Sequence, residues 1–284
     1  MPSLKALRKR IATVRSTQQI TKAMKMVSAA KLRRAQDAAE RARPYAAKLT
    51  EMFAAVAAGV EPDAHPLLAR REERRIDLVV LTSDRGLCGG YNSNLLRFAA
   101  AFLRERAGIE SAVTVVGRKG VDYYRRRNAP LVSQHLGILT TPAIDMAREI
   151  AGALTARFAE GRTDAVYLVY NRFRSAISQV PSVVGLLPIA PPANDTPPVD
   201  YIFEPERPIL LAALLPRYIE ALLTQALLEA AASEHAARMT AMGNATRNAS
   251  EMMDSLTLKM NRARQATITT ELMEVVSGAE ALKG

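Results

Sequence analysis

The 284-residue chain has no tryptophan and one cysteine, and it keeps its other aromatics away from both ends. All fourteen Phe and Tyr side chains lie between Tyr45 and Tyr218, so residues 1–44 and 219–284 contain none. Glycine is absent before Gly59, and after residue 208 it occurs only as Gly243, Gly278 and Gly284. Segments without aromatics or glycine lack the means for a wide core or tight turns, so the two ends read as long helices flanking a compact middle. The single thiol, Cys88, excludes an internal disulfide, and with no secretory signal pattern a reducing, cytoplasmic setting is expected. No run approaches the roughly 20 consecutive apolar residues of a membrane-spanning helix. At 49% hydrophobic residues the chain still has ample material for a core, and its length suggests about two domains.

Negative charge is also missing where it would be expected. Residues 1–34 carry ten basic side chains and no acidic one, and residues 1–75 hold +10 of the net charge of +11. A solvated helix normally mixes signs to form pairs four residues apart, so this one expects its negative charge from elsewhere. The possible sources are nucleic acid, an anionic membrane surface or an acidic protein. A mitochondrial presequence is also Arg-rich and acid-poor, but the helical pattern here runs on past Lys31 with no processing-like break.

What is present at the ends is a narrow apolar seam. Leu4, Leu7, Ile11 and Val14 recur at spacings of three and four, "STQQ" interrupts them, and Ile20, Met24, Val27 and Ala30 resume the stripe. Near the other end Leu258, Gln265, Ile268, Leu272, Val275, Val276 and Ala279 repeat the pattern. Two apolar residues per heptad make a coiled-coil seam, so the terminal helices are expected to pack on each other, antiparallel, over residues 1–58 and 208–284. At about 1.5 Å per residue these helices would run roughly 80 and 110 Å. Pairing Ala58 with Pro208 puts residue 1 opposite roughly residue 265, which leaves about 30 Å of the second helix with no partner in the chain. Pro44 and Pro216 fall inside the helices, close to each other in this register, and a bend is expected at each.

Residues 75–190 alternate short β-branched runs, "IDLVVLT", "AVTVVG" and "AVYLVYN", with helical stretches near Asn92–Arg106, Gly120–Arg127 and Pro142–Glu160. That alternation implies a Rossmann-like α/β domain, followed by a proline-rich linker over residues 191–207. After the first strand comes "SDRGLCGGYNSN". It is not a Walker A loop, since Tyr91 and Asn92 stand where Lys and Ser or Thr are needed, and "GLCGG" does not match GxGxxG. A cysteine nucleophile at Cys88 would need His65, His135 or His235 as its base, and these fall in a loop, near a strand and on the terminal helix. Cys88 reads more simply as a small residue in a tight turn, and no His, Cys and carboxylate spacing suggests a metal.

Four segments, in order, carry a family resemblance: "SLKALRKRIATVRSTQQITKAMKMVSAAKLRRAQ", "SDRGLCGGYNSN", "VDYIFEPE" and "NRARQATITTELMEVVSGAEAL". Together they resemble the gamma-subunit family of the F-type ATP synthase, bacterial type, over essentially the whole chain. The resemblance implies a non-catalytic rotor that binds no cofactor, no nucleic acid and no small-molecule substrate of its own, and that couples proton-driven rotation to ATP synthesis. Its coiled coil would turn inside a ring of alpha and beta subunits, with the α/β domain as a foot on the membrane ring at the cytoplasmic face of the inner membrane. Lys22, Met24 and Lys25 would meet an acidic loop of a beta subunit, and Arg264 and Gln265 a second beta loop. Tyr201 and Glu204 would face the polar loops of the membrane c-ring and the epsilon subunit. The inserted segment with two cysteines that chloroplast members carry has no counterpart here. Two other readings fit less of the chain. A basic coiled-coil nucleic-acid binder would usually set stacking side chains beside its cations, and a nucleotide enzyme would need the missing loop chemistry.

Overall fold

The computed structural model describes residues 3–57, 65–190 and 204–281. In chain order the elements are α1 (Leu4–Ala57), β1 (Arg75–Leu81), α2 (Tyr91–Glu105), β2 (Glu110–Val116), α3 (Arg118–Arg125), β3 (Leu131–His135), α4 (Ala143–Ala159), β4 (Ala165–Ser175), β5 (Ser178–Leu187) and α5 (Arg207–Ala281). They form two compact units, Met1–Val27 with Met239–Gly284, and Ser28–Arg238. The long helices α1 and α5 contribute to both.

The first unit is the two-helix pair. Leu7 and Thr21 are buried along α1, and Leu4, Ile11, Val14, Gln18 and Met24 are half-buried between and beside them. On α5 the matching positions are Met242, Ala249, Met253, Leu256, Met260 and Ala263. The helices run antiparallel: the hydroxyls of Thr21 and Thr246 lie 2.8 Å apart, and Ser3 and Leu4 share a groove with Ala263, Ala266, Thr267 and Thr270. This register matches the length arithmetic to within a few residues. The seam itself differs from the stripe expected from hydrophobicity. Ile20, Val27 and Ala30 are exposed, as are Leu258, Gln265, Ile268, Leu272, Val275, Val276 and Ala279. The spacing of three and four from Val14 leads through Gln18 and Thr21, and close approach of two thin helices favours a small hydroxyl there over a bulkier apolar side chain.

The second unit is built on a five-stranded sheet in the order β3-β2-β1-β4-β5, parallel except for β5. Alternate residues of β1 feed two cores: Ile76, Leu78 and Val80 pack with α2 and α3, and Val79 and Leu81 pack with α4, Phe53 of α1 and Leu215, Ile219 and Leu223 of α5. This period-2 alternation under helices on both faces is the doubly wound arrangement. Asp77 is the polar exception in β1. Its buried carboxylate takes a two-pronged pair from Arg157 of α4, at 2.7 and 3.1 Å, which fixes the helix on the strand.

Two strands beyond the three expected complete the sheet. β3 lies at one edge with only alternate residues half-buried, so its sequence "LVSQH" carries little apolar signal. β5 lies at the other edge and contains Pro181, a residue that breaks a central strand but is tolerated at an edge. The expected helices stand within about two residues of their reading. Pro44 and Pro216 leave α1 and α5 assigned as helix throughout, and their neighbours Arg43, Tyr45 and Arg217 line one groove. By length and composition α5 could cross a membrane, with an 18-residue window of mean hydropathy 1.3. In this fold its residues Leu211, Leu215, Ile219, Leu223 and Leu227 are buried in the core of the second unit.

Candidate functional site

The glycine loop sits after β1, where the sheet order reverses between β1 and β4. In doubly wound sheets this crevice receives the ligand. Here the chain fills it with its own groups. The carboxylate of Asp84 accepts hydrogen bonds from the backbone N–H of Arg118, at the start of α3, at 3.1 Å and from that of Gly137 at 3.0 Å. A helix N-terminus that could attract a phosphate therefore already holds an anion. Close packing completes the closure: Gly117, at φ 94°, lies so near Thr82 that a Cβ there would stand 2.3 Å from the Thr82 carbonyl oxygen. The Thr82 hydroxyl accepts the Gly120 N–H at 2.9 Å.

The loop is also clasped from α5. Arg238 donates to the carbonyls of Arg85 at 3.2 Å and Gly86 at 3.3 Å, and to Glu234 at 2.7 Å. Burial pushes the Glu234 carboxyl up, and the Arg238 cation opposes that shift. Tyr91, at the start of α2, donates from its hydroxyl to the Ala230 carbonyl at 3.1 Å, and Ser233 donates to the Asn171 carbonyl at 2.9 Å. Sequence reasoning missed Asp84, Glu234 and Arg238. The one available signal was a carboxylate and a cation four residues apart in the Ala- and Leu-rich "LLEAAASEHAARM".

Cys88 is buried in this loop. Its sulfur meets Ser83 Oγ at 3.9 Å, the Arg85 carbonyl at 3.9 Å and Asn92 Nδ2 at 3.3 Å. Burial pushes its thiol up, which is opposite to the shift a nucleophile needs. Of the glycines that flank it, Gly89 takes the left-handed conformation, φ 57°, that the turn requires. Among the described residues no histidine is a partner of Cys88: His135, in β3, meets Ser133 at 3.2 Å and Glu149 at 3.5 Å, His65 accepts the Leu67 N–H, and His235 is buried in α5.

Among the described residues suggested by the family resemblance, no one groove gathers them all. Lys22 and Lys25 are exposed on α1, with Met24 half-buried between them; Arg264 and Gln265 are exposed side by side on α5. Glu204 is exposed just before α5, and Tyr201 lies outside the described residues. Among the described residues none of the ten cations of residues 1–34 joins an ion pair.

The doubly wound sheet, with its glycine loop held by the chain's own groups, and the antiparallel two-helix unit define an α/β protein that carries a long helix pair. Known proteins are similar to it. The family model described as ATP synthase matches residues 3–282. The ATP synthase gamma chain of Moorella thermoacetica is 52% identical over 283 residues, covering 100% of both chains. That of Anaeromyxobacter dehalogenans is 54% identical over 289 residues, covering 99% of this chain and 100% of the relative. The central stalk of the Tetrahymena thermophila mitochondrial ATP synthase, solved with its c-ring, is similar at TM-score 0.61 and 29% identity over 80% of this chain and 99% of that one. A chain of the Euglena gracilis mitochondrial ATP synthase shares the fold at TM-score 0.72, with 20% identity over 98% of this chain and 94% of that one. The chain belongs to the ATP synthase gamma-chain family.

Proposed function

We propose that this chain is the central-stalk rotor subunit of an F-type ATP synthase, coupling proton-driven rotation of a membrane ring to ATP synthesis and hydrolysis at the beta subunits. The observation that carries the reading is the end of α5. From Arg264 to Ala279 every side chain is exposed, with Ile268, Leu272, Met273, Val275 and Val276 at 49–70% exposure. An apolar helix end of this extent calls for a partner from outside the chain. The family supplies one, because its members belong to an enzyme complex.

In this reading the chain itself is non-catalytic. The alpha and beta subunits surround the two-helix unit, and the active sites belong to them. An asymmetric shaft biases each site between states only through contacts that differ from one rotary position to the next. Lys22, Met24, Lys25, Arg264 and Gln265 are the proposed beta contacts, supported by the exposure of Lys22, Lys25, Arg264 and Gln265 and by the cations of residues 5–34, none of which joins an ion pair among the described residues. Residues 75–190 would form the foot and 191–207 the linker, with Tyr201 and Glu204 toward the c-ring and epsilon. The complex would sit at the cytoplasmic face of a bacterial inner membrane. Affinity purification of the tagged full chain from its own cell tests the reading: two partner subunits of similar size, with ATPase activity, are expected. Recovery of nucleic acid in their place would overturn it.

A further inference from the structure

Within the Ser28–Arg238 unit, a groove of about 310 Å³ opens between α1, the segment from Ile138 to Ala143, and α5. One wall carries two cations, Lys31 and Arg34, both exposed and neither in an ion pair among the described residues. Thr141 stands opposite, just before α4 begins at Ala143 without a side-chain cap. The first N–H groups of a helix have no acceptor within it and carry the positive end of its dipole. The floor includes His235, which is 6% exposed, and its Nδ1 is buried with no hydrogen-bond partner. Among the described residues no carboxylate lines the groove.

These features point one way. Two exposed cations, an uncapped helix start, a hydroxyl and an imidazole converge on a space lined by no carboxylate among the described residues; the carboxyl of Glu234 feels Lys31 but pairs with Arg238. An orphaned N–H is harder to leave buried than an orphaned lone pair, so the imidazole proton belongs on Nε2, where it is available to an acceptor. The contrast with the glycine loop is informative. There Asp84 satisfies the helix start from within the chain, whereas at α4 no carboxylate among the described residues does so: Asp145 in its first turn turns to Arg148, at 3.7 Å.

We propose that this groove is a binding site for a small oxyanion of the phosphate class, held by Lys31 and Arg34 with Thr141, His235 and the start of α4. Two cations match the charge of a phosphate dianion, and fixed donors on three separate elements suit its tetrahedral oxygens. An ion bound there would tie α1, α4 and α5 together and stabilise their docking by mass action. The proposal does not depend on the rotor reading.

The test is phosphate titration of the purified full chain, followed by calorimetry and by the ring nitrogen signals of His235. We expect saturable 1:1 binding, with a Kd on the order of 1 mM or tighter, a shift in the His235 signals, and at least tenfold weaker binding in Lys31→Met with Arg34→Met. Arg33→Met, an exposed cation outside the groove, should bind as the parent does. Two further arms separate the sources of the same chemistry: adenosine monophosphate and a glutamate hexapeptide. Binding of either more than tenfold tighter than inorganic phosphate would overturn the assignment to the free ion, in favour of a nucleotide or of a partner's carboxylates respectively. Unshifted His235 signals, or equal affinity in the double variant, would overturn the site itself.

Discussion

The hydroxyls of Thr21 and Thr246 lie 2.8 Å apart, although 225 residues separate them in the chain. The Thr246 hydroxyl also lies 2.7 Å from the Met242 carbonyl, and that of Thr21 lies 3.0 Å from the Gln18 carbonyl. Each side chain can thus satisfy itself on its own helix while packing against the other. A pair of small self-satisfied polar residues lets two thin helices approach closely and fixes their register, which a slide of one turn would break.

That register can be locked covalently. In a Cys88→Ser background, Thr21→Cys with Thr246→Cys should form an internal disulfide on mild oxidation, seen as a reductant-sensitive mobility shift. Ile20→Cys with Thr246→Cys should not, because Ile20 points away from the seam at 57% exposure. Equal cross-linking of both pairs would refute the register.

Arg157 and Asp77 form a paired charge on a nearly closed face of the sheet, with side-chain exposures of 23% and 3%. Removing one partner strands the other, which typically costs about 3–5 kcal/mol at a buried pair. Arg157→Ala should therefore lower the urea midpoint far more than Arg148→Ala, whose cation is 61% exposed. A shift as small as that of the surface variant would contradict the arrangement.

The Cys88 thiol is shut away and pushed up by burial. In the native chain it should react with a maleimide at least a hundredfold more slowly than in urea, and Cys88→Ser should leave the turnover of the assembled complex near normal. Fast labelling of the native chain would show that the loop is open.

His235 supplies a pH dependence. Burial first, then the Arg238 and Lys31 cations, push its imidazole down to about 4 from 6.5. Between those values the unfolded chain binds the proton and the folded chain does not, so stability falls as pH drops through this window, by up to about 3 kcal/mol. Glu234, whose carboxyl is raised, works in the opposite direction, and comparison of the parent with His235→Gln isolates the histidine. The variant should show a flatter loss of urea midpoint from pH 7 to pH 4.5. Parallel curves would mean that His235 is not held neutral.

The proposed beta contact is testable by turnover. Arg264 can present a planar fork of donors to a carboxylate, and Gln265 adds a donor and an acceptor. Charged hydrogen bonds are worth about 1.5–3 kcal/mol each, enough to bias one catalytic site and small enough to release on every turn. Arg264→Ala with Gln265→Ala should lower ATP hydrolysis per assembled complex at least fivefold, whereas Arg33→Ala should change it by less than twofold. Near-normal rates in the double variant would reduce this pair to a solvated face.

Composition and spacing alone determined the long terminal helices, their antiparallel pairing and register, the α/β middle and the unmatched glycine loop. Each of these rests on local rules, such as where glycine and aromatics are absent, how apolar residues recur and how long a helix of given length must be. Only the tertiary structure decided which residues the seam buries. Hydrophobicity favoured Ile20 and Val27, but the distance between helix axes is set by the partner, and at close approach Thr21 fits where Ile20 does not. The edge strands β3 and β5 were hidden for a related reason, since a strand covered on few sides needs little apolar signal and tolerates Pro181. The closure of the loop by Asp84 and Arg238, and the convergence of Lys31, Arg34 and His235 on one groove, join residues far apart in the chain. No local pattern encodes such meetings, because they exist only once the sheet order brings the ends of β1 and β3 alongside α5.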